Sequence, residues 1–413
     1  MNEATDKRSC LMQGTGLVRI RAIDASENRS MSDAAPQITW LDDAGQPQHT
    51  RWRSLAGHPA PMRAVLADDR LSADAAFRLA QDGTGLLWRG DYQNARHLLQ
   101  ALGRRLDTRP ARSGAPARSP PSLTAIFLAQ RDAQARRARI QGQLLLPFDA
   151  DHGVPLRRAP DLRAAGAMAH GPVDQHYVGS LRELLGLVGS YEWRRKGVMI
   201  PALGAAIHPH HGVFSPVRGE YVDLVAKAPL PAAAAQHGAF EIGCGTGVLA
   251  AVLARRQLRV TATDLSPAAL ACSADNLGRL GLAGAVTLQA ADLYPDGRAG
   301  LVVCNPPWVP APASSALDAA VYDPDSRMLR GFLAGLAAHL MPGGEGWLIL
   351  SDLAEHLGLR SRAELQSWIA AGGLRVLGRI DTRPQHRKAA DATDPLHAAR
   401  AAELTSLWRL GLA

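Results

Sequence analysis

Apolar positions come in short alternating runs over the first half of the chain and in longer blocks over the second. Residues 1–30 carry no sustained pattern and are expected to be disordered or a non-native extension, with Met31 as a second start. From Ile38 to Arg105, short strand-like runs flank one helical stretch at 94–105. Residues 108–122, TRPARSGAPARSPPS, are rich in Pro, Ser, Gly and Arg and read as a flexible link. The pattern then predicts a helix over 123–139, an apolar strand over 143–148 and an amphipathic helix over 180–189. Residues 31–200 are expected to form a separate N-terminal domain for substrate recognition or an accessory role.

From about Ala239 the period changes. Apolar runs AFEIG, RVTATD, VTLQAAD, LVVCN and GWLILSD read as strands, and LRVLGRI and LTSLWRL close the chain as two more. Helical stretches at 247–256, 267–280, 325–340 and 362–371 are interleaved with them. Such alternation implies an α/β fold with a mainly parallel sheet covered on both faces, assigned here to residues 201–413. Folds of this kind bind ligands at the carboxyl ends of their strands.

A length of 413 residues accommodates two domains. With 46% hydrophobic and 20% charged residues, the composition is that of an ordinary globular protein. No apolar run approaches the ~20 residues of a membrane span. The opening MNEATDKRSCLMQG lacks a signal-peptide core. Cys10, Cys244, Cys272 and Cys304 show neither metal-ligand spacing nor a disulfide framework, so a reduced, cytoplasmic protein is expected. The net charge of +8 is uneven: residues 1–200 hold 28 Lys and Arg against 20 Asp and Glu, whereas residues 201–413 hold 18 of each. Arg suits bidentate phosphate contacts, which admits a nucleic-acid substrate; a solvated basic surface is the plainer reading.

Two motifs carry chemistry. Glu241-Ile-Gly243-Cys-Gly245-Thr-Gly247 lies between a strand and a helix. Its glycines allow a tight turn and close backbone approach to a ligand, and the helix start offers free amides. Val248 stands where a dinucleotide fingerprint would need another glycine. Asp264 ends the next strand, where a carboxylate can accept from both ribose hydroxyls. Asp292, after the third, is placed to meet an adenine amine. The second motif is Asn305-Pro306-Pro307-Trp308, directly after LVVC. The prolines fix the backbone. The Asn305 amide oxygen and the Pro306 carbonyl then offer two acceptors to a planar NH2 group, leaving its lone pair free. Trp308 offers a flat face for stacking.

Residues from about 205 to 413 resemble the small-domain class I S-adenosylmethionine-dependent methyltransferases that carry N-P-P-[YFW]. That group includes release-factor glutamine N5-methyltransferases and ribosomal RNA guanine N2-methyltransferases. The segment from Gly212 through Phe214 and Arg218 to Glu220 looks like the loop that closes over cofactor and substrate in both, which makes Phe214, Arg218 and Glu220 substrate-binding candidates. The resemblance implies a Rossmann-like domain whose last strand is antiparallel. It also implies S-adenosyl-L-methionine held by Glu241, Gly243, Gly245, Gly247, Asp264 and Asp292, and catalysis at Asn305, Pro306, Pro307 and Trp308. The implied partner is a macromolecule, RNA or protein, with RNA favoured; a small-molecule methyltransferase and a silent cofactor-binding module are the alternatives. Trp308 departs from the usual Tyr or Phe of the two subfamilies, and residues 31–200 match neither.

Ser351 and Asp352 either line the cleft or cap the next helix. Trp193, Arg194, Arg195 and Lys196 form a basic-aromatic patch expected on a solvated hairpin. His208, His210 and His211 have no Cys or carboxylate at ligand spacing in sequence, so no metal is assigned. His386, Arg387 and Lys388 fall in the loop before the last strand.

Overall fold

The computed structural model describes residues 20–21, 36–107, 121–216, 219–313, 316–384 and 391–413. Arg218, His386, Arg387, Lys388, most of the expected link and nearly all of residues 1–30 lie outside these. Ile20–Arg21 is described, as a two-residue strand, β1.

The N-terminal half is built around a barrel. Its strands are β2 (Gln37–Leu41), β3 (Pro47–Trp52), β4 (Arg63–Ala67), β5 (Thr84–Trp88), β6 (Leu144–Phe148) and β7 (Tyr177–Ser180), closed in the order β2-β3-β7-β6-β5-β4. Helices α1 (Ala73–Gln81), α2 (Tyr92–Asp107), α3 (Leu123–Gly142), α4 (Arg163–His170) and α5 (Leu181–Lys196) surround it. Alternation along the strands divides two cores. Leu86, Trp88, Leu144 and Leu146 pack with the helical residues Leu98, Leu102 and Leu184, whereas Leu87 and Leu145 pack on Ile38 and Trp52. Helix α1 was not expected from the pattern; Ser72 caps it by accepting from the Ala75 amide. Helix α5 runs on to Lys196. Trp193 to Lys196 are thus its last turn and not a hairpin, and the three cations sit where the helix dipole favours them.

A short hairpin, β8 (Val198–Ile200) with β9 (Ala205–Ile207), leads into the second half. There follow α6 (Glu220–Lys227), α7 (Ala232–His237), β10 (Ala239–Ile242), α8 (Val248–Arg255), β11 (Val260–Asp264), α9 (Pro267–Arg279), β12 (Val286–Ala290) and β13 (Ala299–Cys304). The chain continues through α10 (Ala316–Ala319), α11 (Arg327–His339), β14 (Leu340–Ser351), α12 (Leu353–His356), α13 (Arg362–Ala371), β15 (Leu374–Thr382), α14 (His397–Ala402) and β16 (Thr405–Leu412). The sheet order is β1-β12-β11-β10-β13-β14-β16-β15, parallel except for β16, which is antiparallel to both neighbours. This is the expected Rossmann-like arrangement, with an antiparallel last strand. Strands β10 to β12 step one way from the middle and β13 onward the other, so β10 and β13 flank the switch point. At Gly300 a Cβ would stand 2.1 Å from the Ala233 carbonyl oxygen, so α7 can seat directly on β13 only because no side chain intervenes. Helices α12 and α14 were not expected; each is a short excursion between strands.

Candidate active site

Both motifs open onto the switch point, in one cleft of about 610 Å³. The glycine loop leaves β10 with Gly243, Gly245 and Gly247 at φ of 74°, 53° and 76°, a conformation that a Cβ disfavours. Two side chains from α9 tie down its carbonyls. Ser273 Oγ donates to Gly245 O at 3.0 Å, and Asn276 Nδ2 donates to Thr246 O at 3.0 Å. Asn276 also accepts from the His208 amide at 2.7 Å, linking the loop to the segment that leads to Val213 and Phe214. These bonds hold the loop's carbonyls from behind.

Glu241 is buried and its carboxyl accepts from the Ala250 amide at 2.8 Å, within the first turn of α8. Burial raises its pKa well above the carboxylate range, against the effect of that hydrogen bond. Asp264 lies at the end of β11, where one oxygen accepts from Gly245 N and the other from Ser266 N, both at 2.9 Å. Its pKa is raised, burial outweighing the backbone amides that hold it. Beside it Leu265 is 58% exposed, leaving an apolar face open in the cleft for a flat ring. Asp292 also lines the cleft, half exposed and 3.3 Å from the Arg327 guanidinium. Glu241, Gly243, Gly245, Asp264 and Asp292 therefore share one wall; Gly247 shapes the loop and caps α8.

Across the cleft, Asn305, Pro306, Pro307 and Trp308 leave the end of β13. The Trp308 indole N–H donates to Asn305 Oδ1 at 2.9 Å. The ring is partly exposed in the cleft and packs against three apolar clusters. Phe214 lines the cleft; Glu220, at the start of α6, does not. Ser351 and Asp352 lie outside it. Ser351 Oγ accepts from Leu353 N at 3.0 Å at the start of α12, and Asp352 Oδ1 accepts from Leu404 N at 2.7 Å, so both serve the backbone. His210 does meet a carboxylate in space, Asp275 at 3.1 Å, which also pairs with Arg194 of α5. Among the described residues no group of three or more His, Cys, Asp or Glu is placed to hold a metal ion.

The remaining wall was not foreseen. Phe127 and Gln134 of α3 line the cleft, with Tyr322, Met328, Leu396, Arg400 and Glu403 from three other segments. The first turns of α3 bury Phe127 with Val309, Ala311, Leu357, Leu396 and Ala399. Thr124 Oγ1 donates to Leu357 O at 2.6 Å. Arg131 reaches Asp318 at 3.2 Å and Pro312 O at 2.9 Å, and lies 3.8 Å over the Tyr322 ring. The other end of α3 stays with the barrel, where Arg137 pairs with Asp107 and Gln141 donates to Leu99 O at 3.2 Å. Because its two ends bury different faces, α3 shows no single apolar stripe; that missing stripe was the signal in the sequence. Asp323 is a second unforeseen residue. It accepts from the Met328 and Leu329 amides at 3.0–3.2 Å and so starts α11, which sets Met328 over Gly243.

Residues 204–361 match the sequence model of the methyltransferase small domain. The chain is similar to the release factor glutamine methyltransferase of Moorella thermoacetica, 40% identical over 116 residues, which are 26% of this chain and 41% of that protein. It is similar to the ribosomal RNA small subunit methyltransferase C of Aeromonas hydrophila, 40% identical over 101 residues, 24% of this chain and 28% of that one. The chain thus spans less than half the length of these relatives. A methyltransferase from Pyrococcus furiosus aligns with a TM-score of 0.35 and 16% identity, over 55% of this chain and 98% of that one.

Proposed function

We propose that this chain is an S-adenosylmethionine-dependent N-methyltransferase acting on a planar NH2 group of a macromolecule, with an RNA base the favoured acceptor. The observation that carries the reading is that the glycine loop and the Asn305–Trp308 turn face each other in one cleft at one switch point. The residues suit the group. Asp264 keeps acceptor capacity beyond its two amide bonds, and Leu265 gives an adenine-sized apolar surface next to it.

S-adenosylmethionine supplies a methyl group on a sulfonium. Asn305 Oδ1 and the Pro306 carbonyl accept the two hydrogens of the acceptor NH2, which turns its lone pair toward that methyl. With the cofactor bound, the nitrogen would take the methyl group, the C–S electron pair would stay with sulfur, and one N–H proton would leave to solvent. No strong base is needed, so positioning carries most of the rate. The RNA reading rests on the excess of eight positive charges in residues 1–200.

Calorimetry should give binding of S-adenosylmethionine and none of NAD; the absence of heat with the former overturns the cofactor assignment. Methyl-labelled cofactor with fractionated cell extract should label RNA, with transfer falling steeply as salt rises. Label in protein would overturn the RNA reading, and label only in small molecules the macromolecular one.

A further inference from the structure

We propose that Trp308 acts as a positioning residue whose indole N–H fixes which end of the Asn305 amide faces the acceptor nitrogen. This rests on the N-methyltransferase reading above and deepens it. An asparagine amide has a donor end and an acceptor end of nearly the same shape, and only the oxygen end can receive an NH2 group. Rotation by half a turn would set donor against donor. The indole nitrogen can only donate. Held 2.9 Å from Asn305 Oδ1, it is compatible with one of the two orientations alone, and it leaves the second lone pair of that oxygen free.

The indole is itself well anchored. Two prolines separate it from Asn305 and fix the intervening backbone. Its ring packs against the core behind β10, the core behind β14 and the cluster around Phe127. Its carbonyl lies 3.4 Å from Nη1 of Arg360, a guanidinium only 4% exposed. The ring is held on several sides, and its edge is aimed at the amide. The aromatic position of this motif thus works through hydrogen-bond direction in this chain. A Phe has no donor there, and a Tyr hydroxyl can accept as well as donate, so neither would impose the orientation.

The test has two arms on the full chain. First, the indole N–H resonances of the eight tryptophans are recorded on 15N-labelled protein. The Trp308 signal is assigned by its loss in Trp308→Phe. Asn305→Ala should move that signal upfield and speed its exchange with water, and Asn305→Asp should move it downfield. A signal indifferent to both substitutions overturns the proposal. Second, single-turnover transfer from methyl-labelled S-adenosylmethionine to total cellular RNA, and to total protein, is measured for Trp308→Phe and Trp308→Tyr. Both should lose about 10- to 100-fold in rate. Cofactor affinity and the RNA or protein concentration at half-saturation should stay unchanged. Full activity in Trp308→Phe, or a loss confined to half-saturation, would show a stacking role instead and overturn it. If the unaltered protein labels nothing, the methyltransferase reading fails, while the resonance arm still decides whether the indole holds the amide.

Discussion

The two halves of the cleft are built in different ways. The half proposed to hold the cofactor is drawn from one stretch, Glu241 to Asp292, and its ties are short: Gly245 to Asp264, Ser273 to Gly245, Asn276 to Thr246. The half proposed to receive the substrate is assembled from α3, the Phe214 segment, the Asn305 turn, the strip around Tyr322, α12 and α14. Locally encoded structure suits a ligand that stays the same, whereas a wall borrowed from distant segments can be altered without touching the loop. The contrast implies that damage to one half should leave the other working.

The strongest way to break it is Phe127→Ala. Removing a buried ring from the cluster beneath Val309 and Leu396 should cost about 3–5 kcal/mol of stability. Below the new melting temperature the protein should still bind S-adenosylmethionine normally, by calorimetry, yet transfer methyl poorly. Loss of cofactor affinity in the folded variant would mean that the halves are not independent.

Asn305→Ala should lower the single-turnover rate by about 100-fold, the usual effect of losing one preorganised polar contact, with cofactor affinity unchanged. It also leaves the Trp308 indole N–H without its acceptor, so a fall in melting temperature should accompany it. A normal rate per folded molecule would remove Asn305 from the chemistry. Asp264→Ala probes the other half and should weaken cofactor binding by ~1–3 kcal/mol. Measured at saturating cofactor, the transfer rate should be close to normal.

The smallest effect is expected from Glu241→Gln, read as pH dependence. The Glu241 pKa is raised in the folded protein, chiefly by burial, above its ordinary 4.5. Between that value and the raised one the folded state binds the proton that the unfolded state has released, so stability falls as pH rises through this window. Gln keeps an acceptor for the Ala250 amide and does not titrate. The melting temperature of the unaltered protein should therefore decline relative to Glu241→Gln as pH rises above about 4.5; parallel curves would show that the carboxyl is already ionised in the fold.

Legibility in the sequence follows the same division. The strands from β10 to β16, the glycine loop and the Asn305 turn were readable because their signals are local: apolar runs, glycine spacing, a double proline. Glu241 was read as a ligand contact, and the structure adds a structural duty, since its carboxyl holds the first turn of α8. What could not be read depends on tertiary contact. Nothing local in the sequence of α3 says that Phe127 will meet Leu396, and Asp323 looks like any turn residue until its amide partners in α11 are known. The Trp308 departure was visible, but its meaning lay in a side-chain hydrogen bond that no spacing encodes.

The place of α3 along the chain also sets an order of events during synthesis. Thr124 and its partner Leu357 are 233 residues apart, whereas the glycine-loop ties span only 19 to 30. Closing long loops comes late because their entropy is lost before the contact is gained. At ~5–20 residues per second, roughly 10–50 seconds separate the emergence of α3 from that of its counterpart. Through that interval Ile126 and Phe127 lack the Leu357, Leu396 and Ala399 surface that covers them in the fold. A nascent chain in this state leaves Phe127 uncovered, and this wall of the cleft is not complete until Leu396 and Ala399 have arrived.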